Sequence, residues 1–198
     1  MNAAMRSAEP TVTLRDVSRR ARLGCKGAAA ETFLRASSLP VPAGANSWVV
    51  DDSGHLVARL ATAEFLVEAT GQQAHVTTLA TRLADPARRE RGLVPVLRQD
   101  CVLELAGPAA NDLLRQTCNV NFTPLARATT AGAGPLVLTT MIGVGVTIVP
   151  HRTASDTAFT IWADPSFGDY LTSTLADIAK GLGGAILAGW DDGRASAP

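Results

Sequence analysis

Chemistry needs reactive side chains at spacings that let them meet, and this chain of 198 residues carries few of them. Its three histidines, His55, His75 and His151, stand apart in sequence from one another and from the three cysteines, Cys25, Cys101 and Cys118. A zinc-type centre takes several His, Cys or carboxylate ligands at set spacings, so no metal ligand is assigned. The cysteines are odd in number and show no C-x-x-C pairing, which predicts a reducing compartment and no disulfide framework. Free cysteine is among the most buried residue types, so Cys25 and Cys118 are expected to pack rather than react. A nucleophilic serine would need a base beside it, and no G-x-S-x-G occurs. Ser166, in Asp164-Pro165-Ser166-Phe167-Gly168, reads as a helix start, with Asp164 or Ser166 capping exposed N–H groups. Gly143-Val144-Gly145 lies between two strand-like runs, and Ala131-Gly132-Ala133-Gly134-Pro135 is a flexible loop before a strand. Neither opens a helix, as a phosphate cradle must. The acidic pairs Asp51-Asp52 and Asp191-Asp192 fall in a turn and a tail, where solvation is expected. No catalytic, cofactor-binding or metal-binding residue is assigned.

The elements that would position any site are organised by an internal repeat. Gly27-Ala28-Ala29-Ala30-Glu31-Thr32-Phe33-Leu34-Arg35 reads G-x-A-A-x-x-F-L-R, and Gly107-Pro108-Ala109-Ala110-Asn111-Asp112-Leu113-Leu114-Arg115 reads G-x-A-A-x-x-L-L-R, 80 residues later. Each copy predicts strand, tight turn, helix. Cys101 to Leu105 alternates as a half-buried strand, Gly107 permits the turn, and Pro108 sits where its missing N–H does no harm. Asn119 and Asn121, followed by Pro124, mark the exit of the second helix. Ser47 to Val50 and His55 to Leu60 form a hairpin across Asp51-Asp52-Ser53-Gly54, with a third strand over Glu64 to Ala69. In the second half, Pro135 to Met141 pairs with Val144 to Pro150 across Ile142-Gly143, and Ala158 to Ala163 follows. Leu171, Leu175, Ile178 and Leu182 recur at helical spacing within a helix from Phe167 to Gly181, loosely mirrored by Val76 to Ala80. Ala185 to Trp190 closes the fold. Trp48, Trp162 and Trp190 all lie in strand-like runs and are expected in the core.

The fold class is therefore α+β: two repeated strand–helix–strand–strand–strand–helix units with antiparallel sheets and helices packed on one face. The predicted organisation is a flexible tail over 1–14, a single domain over 15–190 built of pseudo-repeats of about 15–90 and 91–190, and a flexible tail over 191–198.

Composition narrows the partners. Charged residues make up 18%, below the roughly 25% of an average soluble domain, which points to an exterior partly covered by other chains. Lysine plus arginine and aspartate plus glutamate are equal at 18 each, so nothing steers the chain to nucleic acid or an acidic membrane. The basic clusters Arg19-Arg20-Ala21-Arg22 and Arg88-Arg89-Glu90-Arg91 lack interleaved aromatics and are expected on a solvated face or the rim of an interface. The apolar run from Leu136 to Pro150 is too short to span a bilayer, which takes about 20 residues. Met1 to Pro10 has no apolar core of a signal peptide, so the cytoplasm is expected.

The run Leu103-Glu104-Leu105-Ala106-Gly107-Pro108-Ala109-Ala110-Asn111-Asp112-Leu113-Leu114 resembles the helix motif of the folate-binding aminomethyltransferase superfamily of glycine cleavage. Three stretches resemble, more specifically, the gamma subunit of heterotetrameric sarcosine oxidase: Arg22 to Gly27, Gln116 to Phe122, and Ile161 to Leu171. The likeness runs from about Arg15 to Gly184, and the small subunit of N-methylglutamate dehydrogenase is similar enough that these motifs do not separate the two. The resemblance implies an aminomethyltransferase-like fold. It also implies a cytoplasmic complex with alpha, beta and delta subunits that oxidises sarcosine or a related N-methyl amino acid. The products would be glycine, hydrogen peroxide and a one-carbon unit on tetrahydrofolate or released as formaldehyde. In that family FAD, FMN, NAD and tetrahydrofolate belong to the larger subunits and zinc to delta, so none is expected on this chain, which alone would have no activity. The competing expectations are a free folate-binding aminomethyltransferase-like protein and a general protein-interaction module.

Overall fold

Alternation along the strands and small residues at the turns generate two sheets, each backed by helices. The structure, a computed structural model, describes residues 9–88, 90–152, 157–187 and 189. The first half runs β1 (Thr13–Asp16), β2 (Arg22–Lys26), α1 (Ala30–Ala36), β3 (Ser47–Val50), β4 (His55–Ala61), β5 (Glu64–Ala69) and α2 (Gln73–Ala84). The second runs β6 (Val94–Val96), β7 (Cys101–Ala106), α3 (Ala110–Thr117), α4 (Phe122–Ala128), β8 (Ala133–Pro135), β9 (Val137–Met141), β10 (Val144–Arg152), β11 (Thr157–Ala163), α5 (Gly168–Gly181) and β12 (Ala185–Leu187).

The sheet orders are β6-β2-β5-β4-β3-β8 and β12-β1-β7-β11-β10-β9. All pairings are antiparallel except β1 with β12. The halves exchange their leading strands: β1 pairs with β7 of the second half, and β6 pairs with β2 of the first. The repeated glycine makes the exchange possible. Gly27 and Gly107 have φ of +108° and +113°, a region that disfavours any side chain. Two residues after each, an alanine donates its N–H to the chain entering the exchanged strand, Ala29 to Gly92 O at 3.0 Å and Ala109 to Thr11 O at 2.9 Å.

Each sheet turns one face to its helices and the other to its partner sheet. Val57, Phe65 and Val67 pack with Phe33 and Leu34 of α1 and Val76 and Leu79 of α2. Leu103, Leu105 and Ile161 pack with Leu113 and Leu114 of α3 and Leu171 and Leu175 of α5. Between the sheets lie Trp48, Leu56, Ala58 and Leu66 from one and Val102, Val149 and Trp162 from the other. The result is four layers, helix–sheet–sheet–helix, with the inter-sheet layer shared by both halves.

Several expectations are corrected. The predicted tail over 1–14 ends earlier, because Val12 and Leu14 are buried and β1 begins at Thr13; its partner β7 lies too far along the chain to be seen locally. Asn121 does not only mark an exit: its Oδ1 accepts from Thr123 N at 3.1 Å, capping α4 with Pro124 in the first turn. The supposed loop Ala131 to Pro135 contains β8, and the strand read as Pro135 to Met141 divides at Leu136, giving β8 to the first sheet and β9 to the second. Residues 1–8, Trp190 and the tail 191–198 lie outside the described residues.

Candidate functional site

Charged groups inside the inter-sheet layer are the residues that packing alone does not explain. Glu68 is fully buried. Alternation places it there: with Phe65 and Val67 toward the helices, Leu66 and Glu68 must face the second sheet. A lone carboxylate in that layer would be costly, and donors converge on it. Arg20 Nη1 lies 3.3 Å from Oε1 and Arg22 Nη1 3.3 Å from Oε2, while Trp162 Nε1 donates to Oε2 at 2.7 Å. Arg20 Nη1 also reaches Glu104 Oε1 on β7 at 2.6 Å. Arg22 Nη2 donates to the carbonyls of Ser18 and Asp100. The first sheet is thus clamped to β7 and β11 of the second. Arg20 and Arg22 were expected on a solvated face or an interface rim; both side chains are buried, because their acidic partners approach from distant strands.

Beside this network the layer opens into a crevice of about 360 Å³, walled by Thr13, Arg15, Trp48, Glu104, His151 and Phe159 among others. Ligand pockets span about 300–1,000 Å³, so it could hold a small molecule. His151 sits edge-on to Trp48, ring centroids 5.1 Å apart, with Nε2 2.7 Å from Thr160 Oγ1. Burial holds the imidazole down to about 4, against the pull of Glu104 and with help from Arg20. It is therefore neutral near pH 7. Thr160, His151 and Glu104 have the residue types of a hydroxyl–imidazole–carboxylate relay, but Thr160 is 1% exposed and Glu104 is engaged by Arg20. A nucleophile must reach its substrate, and this hydroxyl does not. Trp48 adds a buried indole N–H with no acceptor among the described residues.

The three cysteines are free and buried. Burial pushes the Cys25 thiol up to about 12, with Arg98 opposing. Burial is also the main cause of the upward shifts at Cys101 and Cys118. Thiolate, the reactive form, is thus suppressed near neutrality. Asp164, not Ser166, does the capping: its Oδ1 accepts from Ser166 N at 2.8 Å. Gly143 belongs to a two-residue hairpin turn, with φ of +42° at Ile142 and +87° at Gly143. Trp48 and Trp162 are buried as expected.

Two further expectations fail. His55 and His75 are not isolated: their rings lie 5.1 Å apart where β4 meets α2. Nor is Asp51 simply solvated, for its Oδ2 is 2.9 Å from His55 Nδ1; burial raises its pKa, and bonds from His55 outweigh that and leave it lowered. Among the described residues, no three His, Cys, Asp or Glu side chains converge as a metal site would need. Sequence reasoning missed Glu68, Glu104 and Arg20. The one available signal was a glutamate inside an apolar strand, in Leu66-Val67-Glu68-Ala69 and Leu103-Glu104-Leu105.

Two antiparallel-rich sheets with helices on their outer faces define an α+β fold. The glycine cleavage system aminomethyltransferase T from Bartonella henselae shares it, with a TM-score of 0.55 at 15% identity over 91% of this chain and 48% of that one. More specifically, the chain is similar to a chain of the heterotetrameric sarcosine oxidase from Corynebacterium sp. U-96, solved in complex with pyrrole 2-carboxylate. There the TM-score is 0.69 and the identity 26%, over 92% of this chain and 90% of that one. The resemblance carried by the sequence motifs thus has a counterpart in the fold. No protein-family model matches the chain, and no curated protein matches it significantly.

Proposed function

We propose that this chain is a non-catalytic small subunit of a multi-subunit flavoenzyme that oxidises sarcosine or a related N-methyl amino acid. The observation that carries the reading is the near end-to-end likeness to one chain of a heterotetrameric sarcosine oxidase, covering 92% of this chain and 90% of that one. The chemistry of the interior supports it. The thiols are held protonated, the buried carboxylate Glu68 is neutralised by two arginines, and the Thr160 hydroxyl is shut away. In this reading the chain is a stiff scaffold. FAD, FMN, NAD, tetrahydrofolate and zinc reside on partner chains of the alpha, beta and delta kind, and the electrons pass through those.

The test is reconstitution of the flavin-bearing partners with and without this chain, assayed for oxidation of sarcosine and N-methylglutamate. The reading expects turnover only from the complex and none from this chain by itself. Undiminished turnover by partners lacking the chain would reject it.

A second reading, a folate-binding aminomethyltransferase-like protein, is favoured by one feature: Glu104 and the indole N–H of Trp48, which has no acceptor among the described residues, both lie on the wall of the crevice. Tetrahydrofolate titrated against the purified chain decides between them. Saturable micromolar binding lost in Trp48→Phe would favour the second reading.

A further inference from the structure

The two sheets share five strands in corresponding order, β6-β2-β5-β4-β3 and β1-β7-β11-β10-β9, and each adds a sixth at opposite edges, β8 beyond β3 and β12 beyond β1. β3 and β9 hold equivalent places, each the outer neighbour of a hairpin partner, β4 or β10. The outer edge of β3 is covered by β8, an antiparallel segment contributed by the other half of the chain. The outer edge of β9 carries no strand among the described residues, and Cys118 bridges only to Met141 at its end. Because Ile142-Gly143 is a two-residue turn, Met141 and Val144 form a bonded pair, and bonded pairs recur at Thr139–Val146 and Val137–Ile148. Both peptide groups of Leu138 and the N–H of Thr140 therefore point away from the sheet.

This edge is also unguarded. β6 and β8 contain Pro95 and Pro135, which blunt an edge, whereas Val137-Leu138-Thr139-Thr140-Met141 has neither proline nor charge. Leu138 is 54% exposed. Gly145, paired with Thr140, has open space where a side chain would begin. Tyr170, 50% exposed, donates its hydroxyl to Ile142 O at 3.1 Å, so an exposed aromatic stands at the hairpin turn.

We propose that β9 is a docking edge, to which an uncharged, extended segment of a partner subunit adds antiparallel, as β8 adds to β3. The proposal rests on the subunit reading above and names the surface through which it works. Main-chain bonds to Leu138 and Thr140 would hold the segment, and Leu138 and Tyr170 would give it apolar anchors.

Residue-resolved hydrogen exchange tests it, on the complex purified through a tag on this chain and on the chain alone. The amides of Leu138 and Thr140 should exchange on the order of 100-fold more slowly in the complex, while their neighbours Thr139 and Val146, already bonded, change little. Leu138→Lys should keep the fold of the isolated chain, judged by circular dichroism, and release it from the complex. Leu138→Pro, which removes an outward N–H and fixes φ at an edge position where proline is tolerated, should do the same. A complex in which both amides exchange as in the free chain overturns the edge and leaves the subunit reading standing. A homodimer that protects them overturns it in favour of a second copy, and a chain that joins no complex overturns both readings.

Discussion

Glu68 is the residue on which the contacts between the sheets converge. In Glu68→Ala, Arg20 and Arg22 stay buried with their shared counter-charge gone, and Trp162 Nε1 loses its acceptor. Breaking a buried pair from one side costs about 3–5 kcal/mol, so the urea midpoint should fall sharply while the slope is kept. His151 makes a prediction about pH. Its pKa is about 4 in the folded chain against 6.5 for an unperturbed imidazole, so between those values the unfolded chain binds more protons. Stability is therefore lost as pH falls from about 6.5 toward 4, by up to about 3 kcal/mol, and His151→Gln should lack that part of the fall. The cysteines should be silent toward a thiol reagent in the native state and all react on denaturation, since burial raises each pKa. Beyond two glutamates set in apolar strands, none of this polar network was legible in the sequence. The Arg20–Glu68 and Arg20–Glu104 contacts span 48 and 84 residues, and His55 meets His75 only because a strand lies beneath a helix.

At the scale of elements, the repeated glycines carry the topology. A Cβ on Gly27 would fall 2.3 Å from Gly92 O, and one on Gly107 would fall 2.7 Å from Thr11 O. Both substitutions to Ala combine an unfavourable φ with a clash against backbone, and about 2–4 kcal/mol of lost stability is expected for each. Gly143 is the control: its φ is +87° but nothing lies within 4 Å, so Gly143→Ala should cost only about 1 kcal/mol. Thermal melts of the three variants give the comparison. The elements themselves were largely legible. Alternation located β3, β4, β5, β7, β10 and β11, and the G-x-A-A repeat located α1 and α3. The short strands β1, β6 and β8 were not, since three or four residues hold no period and a proline inside two of them argues for a loop. The exchange of β1 and β6 between sheets was invisible for a different reason: pairing partners are chosen by tertiary packing, and no local pattern records them.

At the scale of the whole molecule, four layers built from two exchanged halves give a body whose three thiols are all buried. Exposed large apolar residues occur at Val94, Leu97, Leu138, Phe167, Tyr170 and Ile186, which suits a chain that meets others along its strand edges and the start of α5. No described helix is long and apolar enough to cross a membrane. The most direct test is the mass and absorbance of what this chain brings with it. Purified through a tag from its own cells, it should elute in size exclusion with light scattering as a stoichiometric assembly of several larger chains, with flavin absorbance under the same peak. A single flavin-free species at 20.6 kDa would contradict the account.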